Sequence, residues 1–166
     1  MSLSNVWFAS DLHIGHTGIA KHRGFASIEE HDEEIIQNFS VIGKKDKLFI
    51  LGDVVWGNKD LPRLKEIPGV KELIIGNHDG LMTKEYLKYF TKVHGFRKYK
   101  HFWLSHAPIH PQEIFRCRGN IHGHLHKGAS TPPLDMPYYN VNVDYNKMLP
   151  TNFKWILDSF DEWENK

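Results

Sequence analysis

The sequence predicts an α/β protein built on a mixed sheet, on three observations. Short apolar stretches rich in β-branched and aromatic residues alternate with segments of helical periodicity, each apolar stretch ends in a polar cluster, and the later segments are richer in strand than in helix. Strand ends of such folds share one edge, where ligands collect.

Residues 5–10 form an apolar run that delivers Asp11 at its tip, as a buried strand would. Ser27 followed three residues later by Glu30 is a capping box. It opens a helix whose apolar face is Ile35, Ile36, Phe39 and Ile42, and Gly43 stops it. Residues 48–51 are a second strand, ending at Gly52-Asp53. Pro62 lies near the start of a short helix over 61–66, closed by the Pro68-Gly69 turn. Residues 72–75 form a third strand running into Gly76-Asn77-His78-Asp79, and 84–90 are helical. Residues 102–104 are a fourth strand leading to Ser105-His106, and Ile121 leads to Gly123-His124-Leu125-His126. Thr131-Pro132-Pro133 and Met136-Pro137 mark an irregular loop, and 139–144 alternate as a half-exposed strand. Phe153, Ile156, Leu157 and Phe160 give a terminal helix that docks on the core, with the charged residues 161–166 trailing out. No repeat or linker divides the chain, so one domain over 1–166 is expected.

With 166 residues, 40% of them hydrophobic, the chain can bury a core without disulfide staples. Cys117 is the only cysteine, which excludes an internal disulfide or a thiolate-rich zinc site and suits a packing residue. Lys and Arg total 21 against 20 Asp and Glu, so the net charge of +1 gives no general grip on nucleic acid. No apolar run approaches the roughly 18 residues of a membrane span, and the start lacks a signal-peptide pattern. The expectation is a cytoplasmic protein with no membrane partner. The unusual number is 12 histidines, spread along the chain among Asp, Asn and Gly.

The polar clusters combine carboxylate and amide oxygen with imidazole nitrogen, a set suited to zinc, manganese, iron or nickel rather than calcium. Asp11 and His13 lie two apart, so on an extended segment both face one ion, and His124 and His126 repeat that spacing. Gly52, Gly76 and Gly123 each precede a candidate ligand, as tight turns at crowded strand ends require. His122 shares the face of His124 and His126 and is expected to support them. His22, His31, His94 and His101 read as ordinary surface residues.

The ordered set D-x-H, G-D, G-N-H-D, H and G-H-x-H over residues 11–126 resembles the calcineurin-like metallophosphoesterases. Leu125 and Trp56 depart from the commonest form of those blocks, and neither removes a ligand. The resemblance implies a four-layer α/β/β/α sandwich with two mixed sheets and the site at their common edge. It implies that Asp11, His13 and His126 hold one divalent metal, that Asn77, His106 and His124 hold a second, and that Asp53 bridges them. Manganese is the first choice, with zinc, iron, nickel or magnesium as alternatives. A water bridging the ions would attack phosphorus in a phosphomonoester or phosphodiester.

By the same resemblance His78 is not a ligand but a general acid for the leaving alkoxide, or a donor to the phosphoryl group, with Asp79 orienting its ring. His16, three residues beyond His13, is placed either to reach substrate phosphate or to support the ligands. Arg116, Arg118 and His110 are candidates for a further phosphate oxygen or the leaving group. So short a chain leaves little room for a cap domain, so an open site is expected, accepting a small phosphate ester, a cyclic nucleotide or a short nucleic acid. The competing reading, a catalytically inactive binding scaffold with this fold, predicts damaged ligands, and every block is intact.

Overall fold

The computed structural model describes residues 5–80, 82–128 and 135–166. Strands β1 (Val6–Ala9), β2 (Lys47–Ile50), β3 (Val70–Ile74) and β4 (Lys92–His94) run parallel. A later strand, β9 (Thr151–Asn152), joins β1 antiparallel, giving a first mixed sheet of order β4-β3-β2-β1-β9. The second sheet has the order β5 (Arg97–Tyr99), β6 (Phe102–Leu104), β7 (Gly119–His122) and β8 (Tyr138–Asn140), with β5–β6 its antiparallel pair.

Alternation along the strands divides the core in two. Ala9, Leu48, Ile50 and Leu73 face α2 (Ile28–Phe39) and pack with Ile35, Phe39, Tyr86 and Phe90. Phe8, Phe49, Leu51 and Ile74 face the other way, against Phe102, Leu104 and Ile121 of the second sheet and Phe153, Ile156 and Phe160 of α4 (Phe153–Glu164). Each fully buried aromatic side chain contributes roughly 1.5–3 kcal/mol, and Phe8 stacks on Phe49 at 5.2 Å. On the far face of the second sheet Trp103 donates its indole N–H to the Glu113 carbonyl at 2.7 Å, beneath a single turn at Pro111–Ile114.

The capping box forms as read: Ser27 Oγ accepts from the Glu30 N–H at 3.1 Å, and the Glu30 carboxylate accepts from the Ala26 N–H at 2.9 Å. Other elements differ from expectation. The expected helix over 61–66 is a tighter 3₁₀ segment, Asn58–Lys65, wound around Pro62. The expected helix over 84–90 is one turn, α3 (Thr83–Tyr86), because the chain must re-enter the sheet where the Thr91 N–H meets the Lys71 carbonyl at 2.8 Å. The expected strand over 139–144 ends at Asn140. There the chain crosses to the first sheet, where the Ser10 N–H donates to the Val141 carbonyl and Ser10 pairs with Asn142, and then turns at Val143–Tyr145. Thr131, Pro132 and Pro133 lie outside the described residues. Among the described residues no helix is long and apolar enough to cross a membrane.

This topology puts the residues after β1, β2 and β3 at one edge with those after β6 and β7. Those segments carry the five polar clusters.

Candidate metal centre

The clusters sit on strained backbone. Asp11, His13, Asp53 and His124 have φ of 58°, 50°, 54° and 67°, in the left-handed region that costs about 1–3 kcal/mol for a non-glycine residue. The Asp-x-His segment is therefore not extended. Asp11 and His13 still converge, but through left-handed backbone at each of the two residues, either side of Leu12, rather than strand alternation. The rings of His124 and His126 face different neighbours: His124 Nδ1 lies 3.2 Å from His106 Nε2, whereas His126 Nε2 lies 3.7 Å from Asp11 Oδ1. The glycines serve close approach. A Cβ on Gly52 would meet His106 Nδ1 at 2.5 Å and the Gly76 Cα at 2.6 Å, and one on Gly123 would meet Ser10 Oγ at 2.1 Å.

Among the described residues, two groups of ligand atoms gather. Asp11, His13 and His126 offer atoms all within 4.8 Å of one another, and so do Asp11, Asp53 and His106. Asn77 Oδ1 stands 2.8 Å from His106 Nε2. Asp53 Oδ2 lies between the groups, 3.7 Å from His13 Nε2 and 3.4 Å from His106 Nε2. The seven residues singled out by the motifs thus meet in one place.

Two atoms there have no hydrogen-bond partner although both are buried: Asp11 Oδ1 and His13 Nε2. Leaving such atoms unpaired is costly, and a cation is the species that satisfies a carboxylate and an imidazole nitrogen aimed at one point. His106 Nδ1 faces the Leu51 carbonyl at 2.7 Å and His126 Nδ1 faces Asp144 Oδ2 at 2.7 Å. Each ring is thereby fixed with its Nε2 turned to the cluster, the usual support of a metal-binding histidine. These residues fit divalent metal.

Electrostatics agree. Burial pushes the Asp53 carboxyl up, but His106, the His78 N–H and His13 outweigh it and hold it at about 2. Burial pushes the His106 imidazole down, but Asp53 and Asp11 outweigh it and raise it to about 9. Burial raises the Asp11 carboxyl, and burial lowers the His13 imidazole. A proton on His106 thus balances the carboxylates, a balance that a divalent cation would take over as it displaced that proton.

Around the cluster the outcome is mixed. His78 is exposed, its main-chain N–H donates to Asp53 Oδ1 at 2.9 Å, and its ring lies 5.5 Å from that of His13. Asp79 does something other than orient that ring. Its Oδ2 accepts from the Asp53 and Gly76 N–H groups at 2.8 Å and its Oδ1 from the Val54 N–H at 3.0 Å, so the carboxylate ties two ligand loops together from beneath. His16 caps α1 (Thr17–His22), accepting from the Ile19 N–H, and its ring packs edge-on to His13 at 5.6 Å.

The Arg118 expectation is corrected. Arg118 is drawn away to α4, where it pairs with Asp161 at 2.7 Å and Glu164 at 2.8 Å. Arg116 lies exposed with its guanidinium over the Phe115 ring, and His110 caps the turn at Pro111–Ile114 by accepting from the Gln112 N–H. His22 and His101 are exposed as expected, but His94 bonds Glu72 and His31 is fully buried. His122 is buried beside the cluster, with Nδ1 2.8 Å from the Gly123 carbonyl.

Sequence reasoning missed Arg23. Its buried guanidinium donates to Asp144 Oδ1 at 2.7 Å, to the Asp11 carbonyl at 2.7 Å and to the Leu12 carbonyl at 3.3 Å, and it lies 2.8 Å from His31 Nε2. Asp144, held by Arg23 and holding His126, was missed with it. Its burial would raise its pKa, but His126 and Arg23 hold it down at about 2.

Comparison with known proteins bears on this cluster. Gene 66 protein of Mycobacterium phage L5 is 45% identical over 85 residues, 47% of this chain and 41% of that protein. Gene 66 protein of Mycobacterium phage D29 is 43% identical over 83 residues, 46% of this chain and 41% of that protein. This chain therefore matches about two fifths of the length of these curated relatives. The crystal structure of AQ665 from Aquifex aeolicus, described as a protein of unknown function, superposes with a TM-score of 0.76 at 26% identity, covering 92% of this chain and 97% of that one. The calcineurin-like phosphoesterase family matches residues 4–166. A family match over nearly the whole length, two mixed sheets and an Asp/His cluster at their common edge lead to one conclusion: the chain belongs to the calcineurin-like phosphoesterases.

Proposed function

We propose that the protein hydrolyses small phosphate esters, diesters or monoesters, at a pair of divalent cations, manganese foremost. Asp11, His13 and His126 would hold one cation, Asn77, His106 and His124 the other, and Asp53 both. The observation that carries this reading is the position of Asp53 Oδ2, within 3.7 Å of His13 Nε2 and 3.4 Å of His106 Nε2. Cations bound there supply a nucleophile at neutral pH and neutralise charge that builds on the phosphoryl oxygens.

The chain's own groups do the rest. His106 and His126, pinned through Nδ1 to the Leu51 carbonyl and to Asp144, hold their Nε2 atoms toward the cluster without further reorganisation. His78 stands at the rim with its backbone tethered to Asp53, and its exposed ring is free to give a proton to the departing ester oxygen.

The test is metal content after purification without added metal, followed by titration with manganese, zinc, iron, nickel or magnesium and a screen of p-nitrophenyl mono- and diesters. Two equivalents per chain and metal-dependent turnover are expected, both reduced by Asp53→Asn. One equivalent in the wild type, or full turnover in Asp53→Asn, would sink the shared-ligand assignment. Stoichiometric metal without turnover of any ester would favour the scaffold reading instead.

A further inference from the structure

Of the two residues that depart from the commonest motif, Leu125 and Trp56, it is Trp56 that stands exposed beside the cluster where a substrate would pass. It is 52% exposed, yet it is not loose: its main-chain N–H donates to the Ile14 carbonyl at 2.8 Å, beside the bridge between Ile14 and Val55. Its ring leans on His16, centroids 3.8 Å apart and planes inclined by 46°, and lies 5.7 Å from the His78 ring. His16 and His78 each lie next to His13, at 5.6 and 5.5 Å. Trp56 is thus one imidazole away from the candidate metal centre, backed on one side and open to solvent elsewhere. Scattered exposed apolar residues are ordinary on any surface. A half-exposed indole propped by one imidazole and flanked by a second, at the mouth of a cation-binding cluster, is a built platform.

We propose that Trp56, supported by His16, stacks the nucleobase of a short nucleotide phosphodiester whose phosphate lies at the cluster. The proposal rests on the hydrolase reading and adds the substrate class to it. Base stacking on an aromatic side chain is strong and tolerant of base identity. An indole also binds quaternary ammonium, but the divalent cations proposed at the cluster would repel a positive group, so a neutral aromatic ring is the better occupant. The net charge of +1 provides no track for a long polyanion, which favours a mononucleotide ester or dinucleotide over a strand.

The experiment compares two diesters with the same leaving group, thymidine 5′-(p-nitrophenyl phosphate) and methyl p-nitrophenyl phosphate, in the wild type, Trp56→Ala and Trp56→Phe. The ratio of their kcat/KM values should favour the nucleoside ester in the wild type. It should fall roughly 5- to 150-fold in Trp56→Ala, the range expected for losing one stacked base, and recover in Trp56→Phe. A second readout needs no turnover: AMP should quench wild-type tryptophan emission and inorganic phosphate should not, with the AMP effect lost in Trp56→Ala. An unchanged ratio, or a Trp56→Ala variant still quenched by AMP, overturns the stacking site while leaving the hydrolase intact. No hydrolysis of either ester under any metal defeats the hydrolase reading itself, and the quenching arm then still decides whether a base binds. A thymidylate oligomer bound far more tightly than the dinucleotide, with steep salt dependence, would overturn the short-diester assignment.

Discussion

Arg23 is the side chain whose removal should tell most about how the cluster is held. Its side chain is 3% exposed and that of its partner Asp144 is 6% exposed, so replacing Arg23 by Met leaves a buried carboxylate with His126 as its remaining ion-pair partner. The carbonyls of Asp11 and Leu12 lose a donor in the same step. Breaking a buried ion pair from one side costs about 3–5 kcal/mol. At roughly 2–4 °C per kcal/mol for a chain of this size, the midpoint of thermal unfolding should drop by about 6–20 °C. Metal affinity should fall as well, by about 10- to 100-fold, because Asp144 would no longer be held against His126. Thermal and urea unfolding of Arg23→Met, Asp144→Asn and the double variant give the coupling energy, and isothermal titration gives the affinity. A loss under about 1 kcal/mol, or strictly additive single variants, would refute the claim that Arg23 and Asp144 act as one unit.

Asp79→Asn should destabilise by roughly 1–3 kcal/mol, since an amide offers one acceptor oxygen where three backbone N–H groups now converge on two; a wild-type urea midpoint would contradict that bonding. Gly52→Ala, with φ of +92° and His106 in the path of the new Cβ, should cost roughly 2–6 kcal/mol and deplete bound metal, read from the urea midpoint and metal content. Glu72 is buried, which raises its carboxyl, but Lys47, His94 and Arg97 outweigh that and hold it below its ordinary value. A carboxyl depressed on folding adds stability above its unfolded pKa and loses it as pH falls through the folded value. Urea midpoints should therefore drop below about pH 4.5, less steeply in Glu72→Gln, and equal slopes would exclude the group. His78→Ala should keep metal content and slow alkyl esters by about 10²- to 10⁴-fold while sparing p-nitrophenyl esters; equal slowing of both would remove the general-acid role.

What was legible in the sequence were features carried by near neighbours. Asp11-x-His13, Gly52-Asp53, Gly76-Asn77-His78-Asp79 and Gly123-His124-x-His126 are short words at strand ends, and strands long enough to show alternation pointed to where they sit. Strands β4, β5 and β9 have only two or three residues, too few for any period to show. Arg23 meets Asp144 across 121 positions, and Arg118 reaches Glu164 across 46, so nothing local marks either pair. Asp79 misled because adjacency in sequence was taken for adjacency of side chains. The turn at Gly76 sends the His78 ring outward and buries the Asp79 carboxylate among amides.

The strained turns explain why two such different residues as Arg23 and Asp79 are buried at the cluster. Left-handed φ at Asp11, His13 and Asp53 persists only if the surroundings fix it more firmly than the backbone resists. At the first turn the fixing group is a cation that donates to the carbonyls of Asp11 and Leu12. At the second it is an anion that accepts from the amides of Asp53 and Val54. Each charge has a cluster residue within reach of its other contacts: Arg23 reaches His126 through Asp144, and Asp79 reaches Asn77 through the Gly76 amide that precedes it. The seven convergent side chains are thus the visible part of a structure whose geometry is set one layer beneath, by charges whose role is to hold the main chain in conformations it would otherwise leave.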